Sequence, residues 1–181
     1  MHQTATPAMH IYRRRPAESE IPEYYRNYVR QTTGDDIEFM LDESRRETIA
    51  FLRLLPAEKW DYRYAPEKWT IREVILHLID SERVFAYRIL RIGRGDKTPL
   101  AGFDQNDYVP SSNAEQRSEQ SLITEYRAVR EGTLQLIKNF TPQMWEGKGT
   151  ASGAEISALA IAYIIAGHEA HHLRIIRERY L

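Results

Sequence analysis

The 181 residues include six histidines and no cysteine. Thiolate nucleophiles, disulfides and sulfur-ligated zinc are therefore excluded, and any transition-metal site must be built from imidazole and carboxylate. His2 and His10 stand apart near the N-terminus; the informative residues are His77 and the cluster His168, His171 and His172. On a helix turning about 100° per residue, His172 lies about 40° from His168, and Ile161, Ile164, Ile165 and Ile175 share that face. Such a stripe must point inward, and two imidazoles one turn apart on it can offer two nitrogens to one ion. His171 falls at the edge of the same face. Burying imidazoles among isoleucines without partners costs free energy that a shared ion removes. A lone histidine on a helix is usually a satisfied or solvent-facing side chain, and spacing alone leaves open whether His171 or His172 joins His168.

His77 belongs to a second periodic segment, whose apolar stripe is Ile71, Val74, Leu78, Phe85 and Ile89. It sits beside that stripe on a polar strip with Thr70, Glu73, Ser81 and Arg88, the pattern expected of one wall of a cleft. Glu73, Ser81, Arg88 and His171 are thus the candidate cleft-lining groups.

Four helical segments must position these residues. The first runs from about Asp35 to Leu55, with Pro56 ending it, and the second from Thr70 to about Ile92, closed by Gly93 and Gly95. The third covers roughly Asn113 to Phe140, and the fourth starts near Ser152 and continues to the C-terminus. Thr70 with Glu73, Ser112 with Glu115, and Ser152 with Glu155 have the spacing of capping boxes, and Thr33 with Asp36 is a weaker version. No hairpin signal stands out. The expected fold is all-α, a four-helix bundle with a long connection between helices 2 and 3, from Gly93 to Ser111. Residues 1–32 are polar, basic and proline-bearing and read as an N-terminal arm; residues 33–181 form the bundle domain.

The chain is 42% hydrophobic and 28% charged, with 25 basic and 26 acidic residues. That balance lacks the positive footprint of a nucleic-acid binder. No apolar run approaches the ~20 residues needed to span a bilayer. Arg13, Arg14 and Arg15 lead into Pro16, Glu18 and Glu20 rather than an apolar core, so the N-terminus does not read as a signal peptide, and a cytoplasmic location is expected.

His168-Glu169-Ala170-His171-His172 matches the H-E-x-x-H zinc-protease motif literally, with Glu169 as the would-be general base. The extended form of that motif needs Gly and His where this chain has Ile175 and Glu178, and only nine residues follow His172.

A different pattern fits better. The stretch Glu67-Lys68-Trp69-Thr70-Ile71-Arg72-Glu73 to His77 resembles the second-helix signature of the DinB superfamily, and Ala166-Gly167-His168-Glu169-Ala170-His171-His172-Leu173 resembles its fourth-helix motif. Phe103-Asp104-Gln105-Asn106-Asp107-Tyr108 is similar to the loop of the same family. The resemblance covers about residues 35–181. It implies a bundle with a long second connection, commonly homodimeric, and carries the metal ligands over to His77, His168 and His172, leaving His171 at the rim.

Three histidines leave a coordination position for water or substrate, as in catalytic rather than closed structural sites. One divalent ion is expected, zinc or nickel, with iron or manganese as alternatives. The resemblance further implies a metal-dependent enzyme acting on a small molecule, either a low-molecular-weight-thiol S-transferase or a hydrolase. The competing expectation is a non-catalytic metal-binding or stress-response protein, in which a carboxylate from Glu43, Glu47 or Glu169 closes the coordination sphere.

Overall fold

The computed structural model describes residues 12–181; His2, His10 and residues 1–11 of the expected arm lie outside them. A one-turn helix α1 (Arg26–Val29) precedes α2 (Ile37–Leu54) and α3 (Ile71–Gly93). There follow a one-turn α4 (Gln105–Tyr108), α5 (Glu119–Ile137), a short α6 (Pro142–Glu146), strands β1 (Lys148–Ala151) and β2 (Ala154–Ser157), and finally α7 (Ala158–Arg179). The long helices α2, α3, α5 and α7 form the expected four-helix bundle. Helix α3 packs on α5 and α7, and α2 closes the ring against the same two, so the consecutive helices α2 and α3 share neighbours.

The helix starts show which local signals win. Thr70 and Glu73 form a true capping box: the Thr70 hydroxyl accepts from Glu73 N–H at 3.2 Å, and the Glu73 carboxylate accepts from Thr70 N–H at 2.7 Å. Asp36 caps α2 itself by accepting from Phe39 N–H. The other two boxes do not form. Asn113 adopts a left-handed conformation and residues 114–116 a 3₁₀ turn, so α5 begins only after Ser118, whose hydroxyl accepts from Ser121 N–H. Ser152 lies in the turn of an antiparallel hairpin, and Ser157 caps α7 by accepting from Ala160 N–H.

A short hairpin forms where no hairpin signal stood out. Ser152 (φ +51°) and Gly153 (φ +79°) both adopt positive φ, as a two-residue turn of type I′ requires. The Ser-Gly dipeptide was the available signal. The long connection docks onto this hairpin: Leu100 N–H donates to Thr150 C=O, and Ser152 N–H donates to Leu100 C=O.

The described part of the arm is packed down. Ile21 and Val29 are buried in the bundle's apolar core, and Arg14 makes paired hydrogen bonds of 2.7 and 2.8 Å to the buried Glu20. Gly167 explains the close seat of α1 on α7. A Cβ there would lie 2.0 Å from the carbonyl oxygen of Tyr28, so only glycine admits the backbone of α1 at this distance.

The core has two apolar clusters. One gathers Ile37, Leu41, Phe85, Ile89, Ile137 and the first half of α7; the other gathers Leu52, Ile71–Ile79, Leu122, Tyr126 and Ile176. Between them each helix contributes a polar residue. Arg130 of α5 donates to Glu82 of α3 at 2.8 and 2.9 Å, to Glu169 of α7 at 3.0 Å and to Ser44 of α2 at 2.8 Å. Glu169 also accepts from Thr48 and Tyr126. Satisfied in this way, the layer holds all four helices in one register.

Candidate metal centre

The three histidines converge beside this layer. Helix α3 supplies His77 and α7 supplies His168 and His172. The Nε2 atoms of His77 and His168 are 3.0 Å apart, and those of His172 and His168 are 3.1 Å apart. One ligand atom from each lies within 4.8 Å of the others, an arrangement that could hold a metal ion. Two nitrogens bonded at the usual length to one tetrahedral zinc stand about 3.3 Å apart, so these two pairs need only small adjustment to close on an ion.

Electrostatics keeps the lone pairs free. Burial pushes the His77 imidazole down to about 4, and burial plus the neighbouring rings push His172 down to about 3. His168, buried and facing both other rings, is held well below the ordinary histidine range. Neutral imidazoles are what a metal requires; cationic ones would repel it.

The surroundings orient the rings. With Nε2 turned to the shared point, the His77 Nδ1–H can donate to Ser81 Oγ, 3.4 Å away, one helical turn on. Trp69, just ahead of the capping box, covers the His77 ring at 5.0 Å, and Tyr28 of α1 stands edge-on to His168 at 5.2 Å.

The remaining candidates separate. Ser81 lies in the site. Glu73 is spent on the helix cap. His171 is not among the three converging ligands; its ring packs edge-on against both His172 and Tyr28 and accepts from the Gln31 side-chain amide at 3.4 Å. Arg88 lies farther along α3, buried, with its guanidinium on Ala101 C=O and Ser152 Oγ. Glu169 faces the polar layer, where Arg130, Ser44, Thr48 and Tyr126 occupy its carboxylate. The general-base role that the H-E-x-x-H motif would give it has no free oxygen to work with.

A cavity of about 660 Å³ opens directly on the centre, with His168 and Ser81 on its wall. Sequence reasoning missed most of its lining. Tyr25 and Tyr28 come from the segment read as an arm, Phe85 from the apolar stripe of α3, and Ser152 from the unforeseen hairpin. Phe103 and Gln105 come from the long connection, where the quoted Phe-Asp-Gln-Asn loop was the one local signal.

Comparison with known proteins agrees with this architecture. YfiT from Bacillus subtilis, described as a probable metal-dependent hydrolase with an unusual four-helix bundle topology, superposes with a TM-score of 0.67 at 16% identity, over 92% of this chain and 91% of that one. At that identity the likeness concerns the fold. No curated protein matches the chain. The model of the DinB superfamily matches residues 40–176, which takes in the two helices that bring the three histidines together. The chain belongs to the DinB superfamily.

Proposed function

We propose that the chain is a metal-dependent enzyme that binds one divalent ion on His77, His168 and His172 and acts on a small molecule held in the adjoining cavity. The observation that carries this reading is the convergence of three imidazoles, His77 and His168 buried and His172 half-buried, with two of their nitrogen pairs at 3.0 and 3.1 Å, beside a cavity of about 660 Å³ that His168 helps to line. A structural ion would be enclosed; this one would face open space through His168.

When bound, the ion supplies Lewis acidity that draws down the pKa of a water or thiol nucleophile. The chain's own residues do the rest. Ser81 fixes the tautomer of His77, Trp69 and Tyr28 restrict the rotation of the rings, and the aromatic cavity walls offer an apolar surface to the body of the substrate. Hydrolysis is the first expectation, in keeping with the description of YfiT. Transfer of a low-molecular-weight thiol would use the same open position with a different nucleophile. Zinc or nickel suits an all-imidazole donor set, and a homodimer is the expected assembly.

The test is metal analysis of protein purified without an affinity tag, beside His77→Ala and His172→Ala. About one ion per chain in the wild type, lost in both variants, supports the centre; equal occupancy in all three rejects it. Loaded protein is then assayed against ester and amide panels and against thiol–electrophile pairs. Turnover abolished by His77→Ala is the supporting result, and full metal occupancy with no turnover in any class would favour a non-catalytic metal-binding protein.

A further inference from the structure

Among the described residues three arginines are almost fully buried: Arg72, Arg88 and Arg130. Arg72 pairs with Asp61 and Glu119, and Arg130 with Glu82 and Glu169. Arg88, only 3% exposed, has no carboxylate partner among the described residues. Its Nη2 donates to Ala101 C=O at 2.8 Å and to Ser152 Oγ at 2.9 Å. A buried guanidinium without a counter-charge is expensive and is ordinarily paired.

Its position relates it to the cavity. The guanidinium carbon lies 5.9 Å from the ring centroids of both Phe85 and Phe103, and these two rings, with Ser152, form part of the cavity wall. The Ser152 oxygen accepts from Arg88, so its own proton is left to donate, and no described group receives it. Ser152 holds this place in a left-handed conformation (φ +51°) that asparagine or glycine would adopt more cheaply.

We infer that the cavity takes a small molecule with an apolar, planar body and a carboxylate, the body lying among Tyr25, Tyr28, Phe85 and Phe103 and the carboxylate accepting from the Ser152 hydroxyl polarised by Arg88. The inference rests on the proposed function, since it places the opposite end of the molecule at His168. Asp104 also lies on the wall and, like Ser152, is solvent-exposed; its Oδ1 caps α4 and water screens its charge. The buried charge of Arg88 is screened far less and sets the sign of the subsite. One hydroxyl proton backed by one cation fits a monoanion; a phosphate would leave oxygens unpaired.

Along α3, His77 and Arg88 are separated by eleven residues, an axial rise of ~16 Å. The metal centre and Arg88 approach each other more closely than that, because the Phe85 ring stands 6.1 Å from the His168 ring and 5.9 Å from the Arg88 guanidinium, but a metal-centred probe still reads the nearer end of a ligand more strongly. The probes are 3-phenylpropanoate and 3-phenylpropylamine, titrated by ligand-observed NMR against metal-stripped and Mn(II)-loaded full-length protein. We expect the carboxylate to bind at least tenfold more tightly than the amine in both forms. Ser152→Ala, which keeps the same backbone strain, should weaken the carboxylate about tenfold and leave the amine unchanged; Arg88→Gln, checked for its melting temperature, should act likewise. In the Mn(II) form the phenyl protons should broaden more than those beside the carboxylate. Equal binding of the two probes, an unaffected Ser152→Ala, or strongest broadening next to the carboxylate would each overturn the subsite. A carboxylate preference that persists with no manganese broadening at all would support the subsite and reject the metal centre.

Discussion

Gly167→Ala distinguishes a packed N-terminal segment from a loose arm by the sign of its effect. If α1 were only loosely apposed to α7, the substitution would replace a helix-interior glycine with the best helix former and stabilise the protein by about 1 kcal/mol. In the structure the new Cβ would stand 2.0 Å from Tyr28 O and 2.4 Å from Tyr28 C, backbone atoms that cannot rotate away. The segment must shift or detach. Overpacking of this kind costs typically 1–3 kcal/mol. Detachment sets a ceiling, because it exposes Ile21 and Val29, each worth up to roughly 1.5–3 kcal/mol of burial. After subtracting the helix-propensity gain of about 1 kcal/mol, net destabilisation should be up to about 2 kcal/mol if the segment shifts and up to about 5 kcal/mol if it detaches, with a fall in melting temperature of about 2–4 °C for each kcal/mol. Urea unfolding gives the free energy, and limited trypsin digestion at Arg26 and Arg30 shows whether the segment has lifted. A variant that is more stable than the wild type and equally resistant to trypsin would refute the reasoning. Because Tyr25 and Tyr28 wall the cavity, the same variant should also bind cavity ligands more weakly.

Other consequences can be checked independently. Arg130→Met leaves Glu82 and Glu169 facing each other without their cation and should destabilise by about 3–5 kcal/mol in chemical unfolding; a loss under 1 kcal/mol would mean the polar layer is not structural. Thr70→Ala removes the hydroxyl half of the α3 capping box and should cost about 1 kcal/mol while leaving metal stoichiometry intact. His171→Ala should retain the ion that His172→Ala loses, and metal analysis showing the reverse would move the centre to the other histidine. Burial alone would raise the Glu20 carboxyl, but the Arg14 guanidinium and the Ala17 N–H outweigh it, and the folded-state value lies below the ordinary carboxylate range. Its stabilising contribution is therefore complete above about pH 4.5 and is lost as pH falls through the folded value. The urea midpoint of the wild type should fall over that interval, and Glu20→Gln should be destabilised already at neutral pH with a smaller further loss on acidification.

Sequence alone determined whatever a single helix encodes. The i, i+4 placement of His168 and His172 on an isoleucine stripe, the Thr70–Glu73 cap and the spans of α2 and α3 depend on a periodicity that short-range geometry imposes whatever the neighbours do. It also supplied two false caps, because a Ser and a Glu three apart satisfy the spacing whether or not the chain between them is helical. Ser152 was taken into a hairpin by Gly153 and by the strand pairing of Lys148–Ala151 with Ala154–Ser157. That His77 belongs with the pair on α7 came from the family resemblance and not from any local pattern; the tertiary structure alone decided that Arg130 reaches Glu82 and Glu169, and that Arg88 is buried without a carboxylate among the described residues. It also decided that Tyr28 lies on Gly167 and so makes the N-terminal segment a wall of the cavity. Each of these joins residues far apart in the chain, and no local pattern records which distant element will fill the space opposite a given side chain; that choice is made by packing the whole bundle at once.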